Sequence, residues 1–225
     1  MYKKIIVTFI ALISYTCALY AQTSAIPTTM DVNAIGASTY SIPIEVVPGT
    51  NGMHPSLAIT YNSLSGHSQM GIHWGLQGLS SITRCTQTNY YDGNIQQLTF
   101  NIDDRFSLDG KRMVLLKGER YYSSDALYAF ENDDLSRIQR VERIDGSFYF
   151  VDTLADGHIV EYGATNDACQ MVNGKVLSWM MNKITDANNN YITYHYSQSD
   201  GEIWIDHIDY TFNAQALLTS AYASI

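Results

Sequence analysis

The sequence predicts an all-β fold of antiparallel, hairpin-rich sheets, and three observations predict it. Asn-Gly or Asp-Gly pairs recur along the chain, at Asn51-Gly52, Asp92-Gly93, Asp109-Gly110, Asp145-Gly146, Asp156-Gly157, Asn173-Gly174 and Asp200-Gly201. Such pairs accept the positive φ angles of tight hairpin turns. Between them apolar and polar residues alternate with period two: in 190–197, Ile192, Tyr194 and Tyr196 share one face, and Tyr191, Thr193 and His195 the other. Tyrosine is the compositional outlier, with 17 residues in 225. It suits a half-wet sheet because its ring packs while its hydroxyl reaches water.

In chain order, the segment 36–85 sets short apolar runs between closely spaced glycines and prolines, and its expected strands are 40–47, 57–61 and 80–85. Pro43 and Pro48 lie in and just after the first of these, which marks it as an edge or bulged strand. A strand is expected at 95–101, and another at 112–117 beyond the Asp109-Gly110 turn. A short apolar run predicts 126–130. The runs 137–143, 147–153 and 158–162 follow one another across Asp145-Gly146 and Asp156-Gly157. In 176–184 the cluster Leu177, Trp179, Met180 and Met181 would suit a helix, yet it also alternates as a strand leading into the Asn188–Asn190 turn, and we read it as strand. The runs 190–197 and 202–211, joined across Asp200-Gly201, form a hairpin on which His195 and His207 face each other. Residues 217–225 read as the approach to a further strand, so the chain is expected to be a fragment, incomplete at its C-terminus.

The first residues carry two lysines, an apolar run from Ile5 to about Tyr15, and a small-residue end around Ala21. This is the pattern of a secretory signal peptide, residues 1–21, cleaved after Ala21. A lipid anchor at Cys17 fits less well, because Tyr15 and Thr16 stand where small residues are needed. Residues 22–35 form a short lead and 36–225 one β-rich domain, since no Pro-, Ser- or Gly-rich linker divides them. The expected location is secreted or cell-surface. Loss of Lys3 and Lys4 with the signal takes the net charge from −9 to −11, which repels phosphate backbones and argues against nucleic acid as a partner. Cys85 and Cys169 then remain, one possible disulfide in an exported protein, and their spacing leaves the pairing open.

The run YSIPIEVVPGTNGMHPSLAITYNSLSG, followed by MGIHWGLQGLSSITRC, resembles the amino-terminal signature of the SpvB-type domain, found in toxin-complex B components and related RHS or YD-repeat proteins. Further blocks follow in family order: DDRFSLDGKRMVLL at 103–116 resembles the next hairpin, DGHIVEYG at 156–163 a strand, and SWMMNKITDANNNYITYHY at 178–196 the segment that ends in an Asn-Gly-Asn turn. Asn188-Asn189-Asn190 replaces that turn, and Asn is the non-glycine residue best tolerated at a left-handed position. The resemblance covers roughly 36–225. It implies a structural role: the start of a β shell, extended by YD repeats, that encloses a C-terminal effector. The implied partners are downstream RHS or YD-repeat segments or a toxin-complex subunit. The sequence contains no repeat array and no effector, so those activities do not transfer.

No chemistry stands out against this reading. The ADP-ribosyltransferase that accompanies SpvB itself would need a Glu-x-Glu pair, and none occurs; Glu131–Asp134 reads as a solvated acidic turn. The six histidines, His54, His67, His73, His158, His195 and His207, show no helical i, i+4 pair. His67 and His73 read as loop residues, and His195 with His207 as an ordinary cross-strand pair. Asp103-Asp104 and 186–190 lack the spacing of a calcium loop, and no G-x-S-x-G elbow is present. We therefore assign no catalytic, cofactor-binding or metal-ligating residue, no cofactor and no enzymatic activity. The alternative is a secreted carbohydrate- or cell-surface-binding module acting alone, with Trp74, Trp179 and Trp204 as candidate stacking residues.

Overall fold

The computed structural model describes residues 28–68, 70–132, 135–219, 221 and 223–225; the signal peptide, Ala21 and Cys17 lie outside them. Among the described residues nearly all regular secondary structure is strand. Its elements are β1 (Thr29–Val32), β2 (Ser38–Ile44), β3 (Leu57–Asn62), β4 (His67–Ser68), β5 (Gly71–Ile72), β6 (Trp74–Gln77), β7 (Ser81–Cys85), β8 (Arg105–Leu108), β9 (Lys111–Lys117) and β10 (Leu127–Phe130). They continue with β11 (Arg137–Glu142), β12 (Phe148–Thr153), β13 (Ile159–Tyr162), β14 (Cys169–Val172), β15 (Lys175–Thr185), β16 (Asn190–Ser199), β17 (Glu202–Asn213) and β18 (Ala223–Ser224). Two short turns of helix interrupt them, a 3-10 turn at Thr50–Gly52 and α1 (Asn89–Asp92).

The turn dipeptides work in two ways. Asp109-Gly110, Asn173-Gly174 and Asp200-Gly201 have both residues at positive φ, and each closes a two-residue hairpin between strands paired up to the turn. At Asp145-Gly146 and Asp156-Gly157 only the glycine is left-handed, and the flanking residues close a longer loop: Arg143 N–H donates to Ser147 O at 2.7 Å and Leu154 N–H to His158 O at 2.9 Å. The β15–β16 turn repeats that geometry, with Asp186 N–H on Asn190 O at 2.9 Å and Asn189 at φ 62° where the others use glycine. Asn51-Gly52 lies inside the β2–β3 connection, and Asp92-Gly93 ends α1 rather than turning a hairpin.

Eight strands close into a barrel. β7 to β13 pair successively, with β14 set aside, and the long β15 completes the circle by pairing with β13 through Ile159↔Thr185 to Tyr162↔Met181 and with β7 through Trp179↔Ile82. An eight-stranded barrel is just wide enough for side chains to fill. Paired residues share a face, so the register places Ile82, Phe106, Tyr128, Ile138, Phe150 and Trp179 inside, and all are at most 1% exposed. Phe106 lies at the centre, its ring 5.0 Å from Phe150 and 5.5 Å from Trp179 in edge-to-face contact, a geometry that adds to the gain from burying the rings.

Charges enter this interior in pairs and against rings. Arg84 reaches Asp104 at 3.2 Å, and its guanidinium lies 5.3 Å from the Trp179 ring centroid. Arg140, opposite Phe150, stacks 4.4 Å from the Phe148 centroid.

Two units flank the barrel. A four-stranded sheet, in the order β1-β2-β3-β6, holds the N-terminal region, and its Leu57 joins the common core. β1 thus forms from residues read as lead. Pro43 lies past the end of β1's register, on a stretch of β2 paired only to β3, as the edge reading of that strand requires. On the other side, β15 runs on into the β16–β17 hairpin, and β18 adds to β17. Tyr210 Oη ties this hairpin to the N-terminal region by donating to Val47 O at 3.0 Å.

The expected strand at 95–101 is corrected. Only Gln96 bridges, to Gln87. Phe100 turns to φ 57°, and the Thr99 N–H is captured by Asp104 Oδ1 at 2.8 Å, so side chains take the backbone groups that a ladder would need. β6, β8 and β14 were not among the runs expected from alternation; the family resemblance alone pointed to the β8–β9 hairpin.

Gly163 leaves β13 at φ 69°, and a Cβ built there would lie 2.3 Å from Trp179 Cδ1. Gly163→Ala is expected to cost about 2–3 kcal/mol, through overpacking and left-handed strain, measurable by urea unfolding. A cost under about 0.5 kcal/mol would show that the indole yields freely.

Alkaline pH tests the buried phenols. Burial pushes the Tyr194 hydroxyl up to about 12 and the hydroxyls of Tyr121, Tyr128, Tyr162 and Tyr196 higher still. A pKa raised by folding contributes stability in full below the unfolded value of about 10, and this is lost as pH rises through the folded value. Stability should therefore fall from about pH 10 upward. Tyrosinate absorbance should rise in two stages, exposed residues first and buried ones together with loss of the strand circular-dichroism signal. A single smooth titration with the fold intact would contradict the burial.

Candidate functional site

The chemically capable side chains are dispersed, and most are already engaged. Asp92 ends α1 beside the barrel and takes Arg105 Nε at 2.8 Å on one oxygen and Arg112 Nη2 at 2.6 Å on the other. Burial pushes its carboxyl up, but hydrogen bonds from Thr88 N–H, Arg105 and Arg112 outweigh that and hold it below the usual carboxylate range. With both oxygens committed, Asp92 clamps α1 to the barrel. Next to it, Tyr91, Lys111, Arg112, Phe130, Glu131 and Asn132 line a cleft of about 300 Å³. Glu131 accepts from Tyr91 Oη at 2.5 Å and Tyr90 Oη at 3.2 Å. The remaining acids of that turn, at 133 and 134, lie outside the described residues.

Both described cysteines are free thiols. Burial, the largest influence on each, pushes Cys85 and Cys169 upward, so neither is held as the thiolate that nucleophilic chemistry needs.

The histidines fall in four places. His54 caps its own turn, with Nδ1 2.8 Å from Gly52 O. His73 sits at positive φ in a turn and binds the Ser65 carbonyl, whereas His67, expected in a loop, lies exposed on the two-residue strand β4 opposite Ile72. His158 meets Asp156 at 2.9 Å across the β12–β13 turn. It lines a cleft of about 460 Å³ between barrel and N-terminal sheet with Met53, His54, Ile184 and Tyr194. His195 and His207 face each other across β16 and β17, as expected, brought opposite by a register shift between His195 and Tyr196, with rings stacked 4.4 Å apart.

Of the tryptophans named as stacking candidates, Trp179 is inside the barrel, and Trp74 packs against Tyr61 and Tyr40 on the N-terminal sheet. Trp204 is the exposed one, on β17. These positions do not converge on one platform.

What the architecture offers is edges. The barrel has none, because its ladder closes. Among the described residues the N-terminal sheet ends at β1 and β6, and nothing pairs with the outer side of β18. Met30, Val32 and Ile35, on and beside β1, are all more than 60% exposed, a concentration of apolar surface on an open strand that ordinary monomers blunt.

No match to the sequence was found among curated proteins. Solved structures share the fold. A chain of the TcdB2-TccC3 crystal structure superposes with TM-score 0.66 at 15% identity, over 88% of this chain and 11% of that one. A chain of the Photorhabdus luminescens Tc holotoxin pore gives 0.67 at 15%, over 83% and 10%. The N-terminal domain of effector protein SpvB from Salmonella typhimurium strain LT2 gives 0.58 at 16%, over 75% and 64%. This chain thus spans about a tenth of the toxin-complex chains and somewhat less than two thirds of the SpvB domain. The sequence also matches the SpvB family, described as Salmonella virulence plasmid 65kDa B protein, over residues 32–217. That stretch takes in the N-terminal sheet from the end of β1, the whole barrel and the β16–β17 hairpin, and the chain belongs to the SpvB family.

Proposed function

We propose that this chain is a non-enzymatic structural module of an exported toxin-complex or SpvB-type protein, one that contributes to a β shell around an effector carried elsewhere. The observation that carries the reading is the contrast between a barrel filled by its own side chains and sheets that, among the described residues, remain open at β1, β6 and β18. A packed interior suits a rigid building block rather than a ligand container. Open edges suit strand addition, in which main-chain hydrogen bonds join one sheet to the next. The partners would be RHS or YD-repeat segments, or another toxin-complex subunit, and the N-terminal signal would export the assembly.

Hydrogen exchange tests this directly. The amides of β1 and β18 should exchange fast in the chain alone and become protected when a YD-repeat segment from the same genome is joined or co-expressed. Association by sedimentation should decrease in parallel. Unchanged exchange, with a monomer in both cases, would overturn the shell reading. Quenching of Trp204 fluorescence by a glycan panel would instead favour a binding module.

A further inference from the structure

We propose that the outer face of the β16–β17 hairpin is a transition-metal site whose ligands are His195, His207 and Asp209. Between two register shifts, at Tyr191/Thr193 and His195/Tyr196, the pairing is regular: Thr193 faces Asp209, Tyr194 faces Ile208 and His195 faces His207. Tyr194 and Ile208 are each 2% exposed, pointing into the core. Alternation therefore stands Thr193, His195, His207 and Asp209 together on the opposite face. His207 and Asp209 are two residues apart on one strand and His195 lies directly across, so a ladder of backbone hydrogen bonds holds all three Cα positions.

The distances suit a divalent ion. One ligand atom from each of the three residues lies within 4.8 Å of the other two, and His207 Nε2 is 3.8 Å from Asp209 Oδ2. Around a tetrahedral ion with bonds of about 2.0–2.1 Å, neighbouring donor atoms are about 3.3 Å apart. Binding would require side-chain rotation to supply the remaining contraction. The rings already lie nearly parallel, at 15°, so modest rotations about the Cα–Cβ and Cβ–Cγ bonds bring a nitrogen of each toward a shared point.

The surroundings orient the ligands. Asp206 Oδ2 lies 2.8 Å from His207 Nδ1, which leaves Nε2 facing Asp209. A carboxylate on the far nitrogen of a ligating imidazole fixes its tautomer and raises its basicity. Asp167 Oδ2, anchored by the Tyr196 N–H at 3.0 Å, lies 4.0 Å from His195 Nδ1. Asp167, Asp206 and Asp209 thus surround two imidazoles, an arrangement that attracts a cation. Two imidazole nitrogens and one carboxylate favour Zn²⁺, Ni²⁺ or Cu²⁺ over Mg²⁺ or Ca²⁺. Three protein ligands on an open face leave a coordination position for water or for a side chain of a neighbouring subunit. The inference rests on hairpin geometry and stands apart from the shell reading.

Calorimetric titration of the purified protein with Zn²⁺ and Ni²⁺ tests it, with Ca²⁺ as comparison. One saturable site is expected, and His195→Ala or His207→Ala should each weaken it at least about tenfold. Asp209→Asn should weaken it measurably, whereas His54→Ala should leave it unchanged. Added Ni²⁺ should broaden the imidazole NMR signals of His195 and His207 ahead of those of the other four histidines. The replaced side chains are partly exposed, and a thermal melt confirms that each variant is folded. The absence of saturable binding below about 1 mM, an affinity unaltered in the His207→Ala variant, or equal binding of Ca²⁺ would each overturn the proposal.

Discussion

Replacing Trp179 with alanine is expected to lower stability by about 3–5 kcal/mol, the range for removing a buried aromatic. In a chain of this length that corresponds to a fall in melting temperature of roughly 6–20 °C. The effect should sit at the top of the range because the indole serves three purposes. It lies where β15 closes the barrel, opposite Ile82 on β7 and Cys169 on β14. Its ring contacts Phe106, Phe148 and Phe150. Its Nε1–H donates to Phe148 O at 3.0 Å, so truncation leaves both a void and an unpaired carbonyl. Trp179→Phe should recover the packing but not the hydrogen bond, and fall between. Urea unfolding followed by circular dichroism measures this, and a loss below about 1 kcal/mol for the alanine variant would show that β15 does not depend on the indole for closure.

Asp104→Ala should cost a similar amount, about 3–5 kcal/mol, for an electrostatic reason. The Asp104 side chain is 1% exposed and its partner Arg84 8%. Arg84 also donates to Val176 O at 2.8 Å and lies against the rings of Phe106, Tyr122 and Trp179. Removing the carboxylate leaves a guanidinium among aromatic faces without its counter-charge, and it strands the Thr99 N–H that Asp104 accepts. Arg84→Met combined with Asp104→Leu should cost less than Asp104→Ala alone, because a buried pair removed as a unit leaves no orphan charge. A double-mutant cycle resolves the coupling. If the double variant proves as unstable as the sum of the singles, the pair acts independently and this account fails.

Much of this architecture is written locally. Asp109-Gly110, Asn173-Gly174 and Asp200-Gly201 turn where their φ preferences say they should, and Asn189 takes the left-handed place read for it. The β16–β17 hairpin follows from alternation and a two-residue turn, but strict pairing from that turn would set His195 opposite Asp206; a register shift between His195 and Tyr196 brings His207 there instead. Asp209 was not singled out, although the His-x-Asp spacing on the strand opposite His195 carries the signal; reading it needs the register as well as the strand. The strand expected at 95–101 failed because Asp104 and the turned Phe100 compete for that backbone, a contest that hydropathy does not record. Strands as short as β6, β8 and β14 offer too few residues to display a period.

The sequence by itself determined an all-β chain, the positions of most of its hairpin corners and its membership of the SpvB family, since turn conformation, alternation and motif order are properties of neighbouring residues. Only the tertiary structure decided that β15 closes a barrel between β7 and β13, which tryptophan that barrel buries, and which strands remain open. Closure depends on register between distant segments: the hydroxyls of Thr83 and Ser178 meet at 3.0 Å across 95 residues. Such pairings are selected by the summed packing of whole sheets, a quantity that no local stretch of sequence contains.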